Sequence, residues 1–173
     1  SRWWYIAGQT SNANSNNLLV DGSDYRMFEW AQENGASSGW EEVFANTSLN
    51  PLQGFGYYIL AGTDILANYT GELNSGNYGS AGNLDYGITS DIQGFNLVGN
   101  PYPSYIDMGT ENDPTPDLDL TNLYHSVWVR KDGSFAVFNR SGDGTAANGG
   151  SRYIAPGQGF WLLVEDGNTT GTY

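Results

Sequence analysis

One histidine, nineteen carboxylates, six tryptophans and no cysteine set the chemistry open to these 173 residues. His125 alternates with Leu123, Val127 and Val129, the setting of a strand histidine rather than a triad base, and no Gly-x-Ser-x-Gly elbow accompanies it. Without a thiol there is no thiolate nucleophile, no disulfide and no cysteine-based zinc or iron–sulfur site. Two carboxylates could in principle hydrolyse a glycosidic bond. The adjacent pairs Glu41-Glu42 and Glu165-Asp166, however, point to opposite faces of an extended chain, so neither is a ready acid/base couple. No Gly-rich phosphate loop precedes a helical pattern. A glycoside-acting enzyme therefore ranks last among the readings, and no catalytic residue is assigned.

Binding chemistry is better supplied. The run from Glu111 to Asp119 bunches hard oxygen donors, with Asp113, Asp117 and Asp119 as candidate ligands for a structural Ca²⁺; it lacks EF-hand spacing, and aspartates in such loops ordinarily serve the backbone. No other cofactor is expected. Flat Trp and Tyr rings stack on the apolar faces of pyranoses, and Trp3, Trp40, Tyr58 and Trp161 are the candidate ligand-binding residues.

The elements that position these residues are short strands. Lysine occurs once, at Lys131, among 24 glycines and 25 aromatics, which excludes a helical bundle. A net charge of -13 repels phosphate backbones and anionic headgroups, so neither nucleic acid nor a membrane surface is an expected partner. No run approaches the roughly 20 apolar residues of a membrane-spanning helix, so no membrane insertion is expected. The chain opens without a signal peptide and reads as an excised or processed segment. Apolar or alternating runs at 3–7, 17–20, 25–30, 40–44, 55–61, 66–70, 95–98, 123–130, 135–139 and 159–165 predict an all-β, antiparallel β-sandwich. Asp132-Gly133 predicts a type I′ hairpin between two of them. Residues 11–16 and 74–83 read as loops.

Internal repetition organises the runs. Trp4-Tyr5-Ile6-Ala7-Gly8 parallels Phe95-Asn96-Leu97-Val98-Gly99; Trp30 with Asn34-Gly35 parallels Trp128 with Asp132-Gly133; Pro51-Leu52-Gln53-Gly54-Phe55 parallels Pro156-Gly157-Gln158-Gly159-Phe160. These anchors predict two pseudo-repeated β units, at 1–62 and 93–173, joined by connecting strands and a Gly-rich loop at 63–92 in one domain. Positions apolar in both copies are expected in the core: Trp4, Ile6, Phe55, Tyr57, Ile59 and Trp30, with Phe95, Leu97, Phe160, Leu162, Val164 and Trp128. Unmatched aromatics, Trp3, Trp40, Tyr58 and Trp161 among them, are left for outside contacts.

The stretch Gly94-Phe95-Asn96-Leu97-Val98-Gly99-Asn100-Pro101-Tyr102-Pro103-Ser104, followed by Ile106-Asp107, resembles the GWNLVGNPYPS…IDW signature of large secreted and cell-surface proteins of Bacteroidota, which commonly leave by type IX secretion. Tyr153-Ile154-Ala155-Pro156-Gly157-Gln158-Gly159-Phe160 is similar to that family's YIAPGQGF element, and Tyr69-Thr70-Gly71-Glu72-Leu73-Asn74-Ser75-Gly76 to its FTGTLNTG element. Phe95 and Met108 stand where the family usually has Trp, which reads as core substitution. The resemblance implies a secreted or cell-surface module and carries no catalytic or binding residue with it. The expected function is adhesion or assembly without catalysis, with glycan recognition as its most specific form. The alternative is a filament subunit that joins copies of itself by edge strands or by exchange of the arm at 168–173.

Overall fold

The computed structural model, which describes residues 2–18, 25–32, 39–59, 68–78, 84–87, 93–113 and 115–173, is built from antiparallel strands. They are β1 (Arg2–Ile6), β2 (Tyr25–Trp30), β3 (Trp40–Val43), β4 (Phe55–Ile59), β5 (Leu84–Asp85), β6 (Phe95–Gly99), β7 (Ile106–Asp107), β8 (Ser126–Lys131), β9 (Ser134–Asn139), β10 (Thr145–Ala147), β11 (Tyr153–Ile154), β12 (Gly159–Leu163) and β13 (Thr170–Gly171). One main sheet runs β1-β4-β2-β3 and the other β10-β9-β8-β12-β6; β11-β7 and β13-β5 form two small pairs. The β8–β9 turn has positive φ at Asp132 (48°) and Gly133 (81°), as a type I′ hairpin needs.

Two expected strands differ. Ser15–Asn17 is a 3-10 turn, not the start of a strand at 17–20, because Asn14 and Asn17 accept backbone N–H groups from Asn16 and Asn14 and close a capping box. Residues 19 and 20 lie outside the described residues. So do 66 and 67 of the expected 66–70 strand, and 68–70 are not in a strand.

Each main sheet buries one face under its own loops. In the first, Met27, Val43, Phe55 and Tyr57 pack with Ala13, Leu18 and Leu49, and the Tyr57 hydroxyl donates to the Leu18 carbonyl at 2.6 Å. Burial pushes that phenol up to about 12. In the second, Val98, Val127, Phe138, Phe160 and Leu162 pack with Ile106, Met108, Leu118, Leu123, Ile154 and Val164. The opposite faces, aromatic in both sheets, turn toward each other, with β1 against β12 and β8, and β6 against β2 and β4. At one end the backbones touch: Ile6 bridges Gln158 and Val98 bridges Gln53. A Cβ on Gly99 would stand 2.3 Å from that of Ala7, so only glycine permits this approach.

The ladders correct the expected core. Trp4 pairs with Tyr57 on the loop-covered face, yet at the sheet edge it is 52% exposed. Phe95 pairs with Leu163 on the aromatic face, so Trp4 and Phe95 do not occupy equivalent positions. A one-residue slip exchanges the two faces of a strand. The bridges between the sheets are made instead by Ile6 and Val98, with Gln158 and Gln53. Trp30 and Trp128 likewise stand on the aromatic face, not in a loop-covered core.

Candidate functional site

Strand alternation sends Trp3 and Tyr5 from β1, Phe28 and Trp30 from β2, Trp40 from β3 and Tyr58 from β4 to one face, as their cross-strand pairing requires. The facing sheet contributes Phe95, Trp128, Phe135 and Trp161 by the same rule. Between the sheets lies a cavity of about 420 Å³, lined by Tyr5, Trp30 and Trp40 on one side and by Phe95, Trp128, Phe135 and Trp161 on the other. Trp161 is its hub: Trp30, Tyr5, Trp40 and Phe95 meet it with centroids at 5.2, 5.7, 5.8 and 6.3 Å and planes at 79° to 85°. Edge-to-face contact of this kind matches the ring quadrupoles. The indole N–H groups of Trp30 and Trp161 are buried with no hydrogen-bond acceptor among the described residues, and aromatic rings surround both.

From Trp40 the aromatic surface continues outward. Trp3 lies 5.8 Å from Trp40, 4.9 Å from Tyr58 and 5.4 Å from Phe28. Gly56 makes room for it, since a Cβ there would meet the Trp40 ring at 2.8 Å and the Trp3 ring at 3.2 Å. At this end Arg26 and Glu42 form an ion pair of 3.6 Å on the same face. The four aromatics picked from sequence, Trp3, Trp40, Tyr58 and Trp161, thus share one surface, with Trp3, Trp40 and Tyr58 half-buried and Trp161 only 7% exposed. Tyr5, Phe28 and Phe135 are not singled out by the sequence reading, and Trp30, Phe95 and Trp128 are assigned by it to the shared core; the signal that could have found all six is the period-two alternation of aromatics along their strands.

The acidic loop is organised otherwise. Asp113 pairs with Arg152 and accepts the Thr115 N–H, Asp117 accepts the Asp107 N–H at 2.8 Å, and Asp119 is exposed. Among the described residues no three acidic or histidine side chains gather where they could hold a metal ion. The expected trio is not brought together: an arginine and a backbone amide take Asp113, and a backbone amide takes Asp117. His125 is exposed.

Arg152 also grips Asp107, with Nε–Oδ1 at 2.5 Å and Nη2–Oδ2 at 2.7 Å. That guanidinium, aided by the Gly109 N–H, holds the Asp107 carboxyl below the usual carboxylate range. The stability it contributes is complete above the unfolded value of about 3.9 and is lost as pH falls through the lower folded value. Thermal melts should therefore show a steeper loss of Tm from about pH 5 to about pH 2 in the wild type than in Asp107→Asn. Equal slopes would remove Asp107 from the acid transition.

The residues that carry the sequence resemblance meet one another. Asn100, fully buried, donates through Nδ2 to the carbonyls of Ser104 (2.9 Å), Ile154 (3.2 Å) and Ala155 (3.0 Å), and accepts the Tyr102 N–H at 2.9 Å. Gln158 accepts the Ala155 N–H at 3.1 Å, which makes it a turn residue. All described peptide bonds are trans, including those of the Asn100–Pro103 turn. The segment 168–173 is docked on its own chain: β13 pairs with β5, Thr172 with Thr121, and the Tyr173 hydroxyl donates to the Leu52 carbonyl at 2.7 Å.

No protein-family model matches the chain, and neither a curated protein nor a solved structure matches it at a significant level. No helix among the described residues is long and apolar enough to cross a membrane.

Proposed function

We propose that this chain is an extracellular or cell-surface, non-catalytic β module that binds glycan through the aromatic groove between its sheets. The observation that carries the reading is the continuous ring surface from Tyr58 and Trp3 through Trp40 to the cavity around Trp161. Stacked rings supply the apolar contact that a pyranose face needs, and Arg26 and Glu42 at the exposed end supply groups for its hydroxyls. The resemblance to secreted Bacteroidota proteins supports the location. A duplicated origin is supported by the common strand order: in each half the first strand lies beside the last, followed by the second and third. The matching bridges, Ile6 to Gln158 and Val98 to Gln53, support it too.

Retention on a panel of insoluble and soluble polysaccharides tests the reading. The wild type should be retained by at least one, and Trp3→Ala and Trp40→Ala should each weaken retention roughly tenfold, about 1.4 kcal/mol, while unfolding midpoints stay above the assay temperature. No retention by any polysaccharide, or retention indifferent to both substitutions, would refute it. Ordered polymer formed without ligand would replace it with self-assembly.

A further inference from the structure

The chain has nineteen carboxylates and six cationic side chains, so nearly every cation should find an acidic partner. Arg26 pairs with Glu42, Arg152 with Asp107 and Asp113, and Arg140 donates to the Leu118 carbonyl. Arg130, like Arg140 and Lys131, has no acidic partner among the described residues; Arg140 is engaged by a carbonyl and Lys131 is exposed, whereas Arg130 is half-buried.

Its place is set by the β8–β9 ladder. Arg130 pairs with Phe135 and lies two residues beyond Trp128, which pairs with Trp161. Alternation therefore puts Arg130 on the aromatic face beside Phe135, which lines the cavity, while its neighbours Val129 and Lys131 border a second, smaller pocket that Arg130 also touches. Among the described residues the aromatic cavity is lined by no charged side chain. The neighbouring Lys131 falls on the opposite face. An arginine without a counter-ion leaves its guanidinium available to a bound anion, and its planar fork matches an oxyanion bidentately.

Resting on the glycan reading above, we infer that the groove selects acidic glycans, and that Arg130 reads a carboxylate or sulfate on the sugar whose ring stacks among the tryptophans. The overall negative charge does not oppose this at contact range, because it is screened beyond about 8 Å at physiological salt. The sugar ring supplies stacking area and the oxyanion supplies the ion pair that this side of the groove lacks.

Titration of tryptophan fluorescence with a uronic-acid oligosaccharide, a sulfated oligosaccharide and a neutral oligosaccharide of equal length tests the inference. At least one acidic ligand should bind about tenfold more tightly than the neutral one. Arg130→Gln should abolish that preference and leave neutral binding within about twofold, and Arg130→Lys should restore part of it. Equal affinity for acidic and neutral ligands, or a preference that survives in Arg130→Gln, overturns the role of Arg130 and leaves the glycan reading intact. Absence of binding by all three overturns both.

Discussion

Trp161→Ala is expected to lower the stability of the fold by about 3–5 kcal/mol, the largest single-residue effect in the molecule. The ring is 7% exposed and touches four others, Phe95 in its own sheet and Tyr5, Trp30 and Trp40 in the facing one. Its removal forfeits the buried area and enlarges a cavity that the fold already carries. Edge-to-face pairs add about 0.5–1.5 kcal/mol each beyond area. For a domain of this size the loss corresponds to a fall in Tm on the order of 10 °C. Trp161→Phe keeps an aromatic edge and should recover more than half of it. Equilibrium urea unfolding of both variants measures the difference; a Trp161→Ala midpoint equal to wild type would mean that the two sheets are not held together through this ring. Because Trp161 is so deeply placed, Trp3 and Trp40 are the better probes of ligand contact.

Asn100 should be nearly as sensitive, for a different reason. Its side chain serves four backbone groups inside the molecule, and each one left unpaired costs about 1–3 kcal/mol. Asn100→Ala is expected to destabilise by about 3 kcal/mol or more. Asn100→Asp, although isosteric, sets a carboxylate against three carbonyl oxygens and should be worse at neutral pH. Urea midpoints in the order wild type, Asn100→Ala, Asn100→Asp are expected. A tolerated Asp would contradict the donor role of Nδ2. The Asn-Pro-Tyr-Pro sequence announces a rigid turn, and the resemblance announces a motif. Neither discloses that the asparagine is the clasp between the 100–104 turn and the 154–155 turn.

Much of the fold was legible where local chemistry decides it. The strand at 25–30 and the Asp-Gly hairpin follow from alternation and turn residues alone. The sheet faces were harder, because both faces of each main sheet are apolar: one meets loops and the other meets the opposite sheet. Alternation then says that residues share a face without saying which face. That is why the sequence aligns Trp4 with Phe95 although they stand on different faces, and places Trp30 and Trp128 in a shared core. Trp3, Trp40, Tyr58 and Trp161, which the same argument leaves for outside contacts, lie on one face between the sheets, with Trp161 buried there. For the acidic loop, composition pointed to a cation, but Arg152, far away in sequence, takes Asp107 and Asp113, and no local pattern foretells a partner at that separation.

The most direct test of the groove is a crystal structure of the chain with a polysaccharide fragment that it retains. A sugar ring stacked on Trp40 or Trp3, reaching between the sheets toward Trp161 and Arg130, is the expected result. A sugar seated elsewhere, or a groove filled by the chain's own side chains with the fragment bound outside it, would contradict the account.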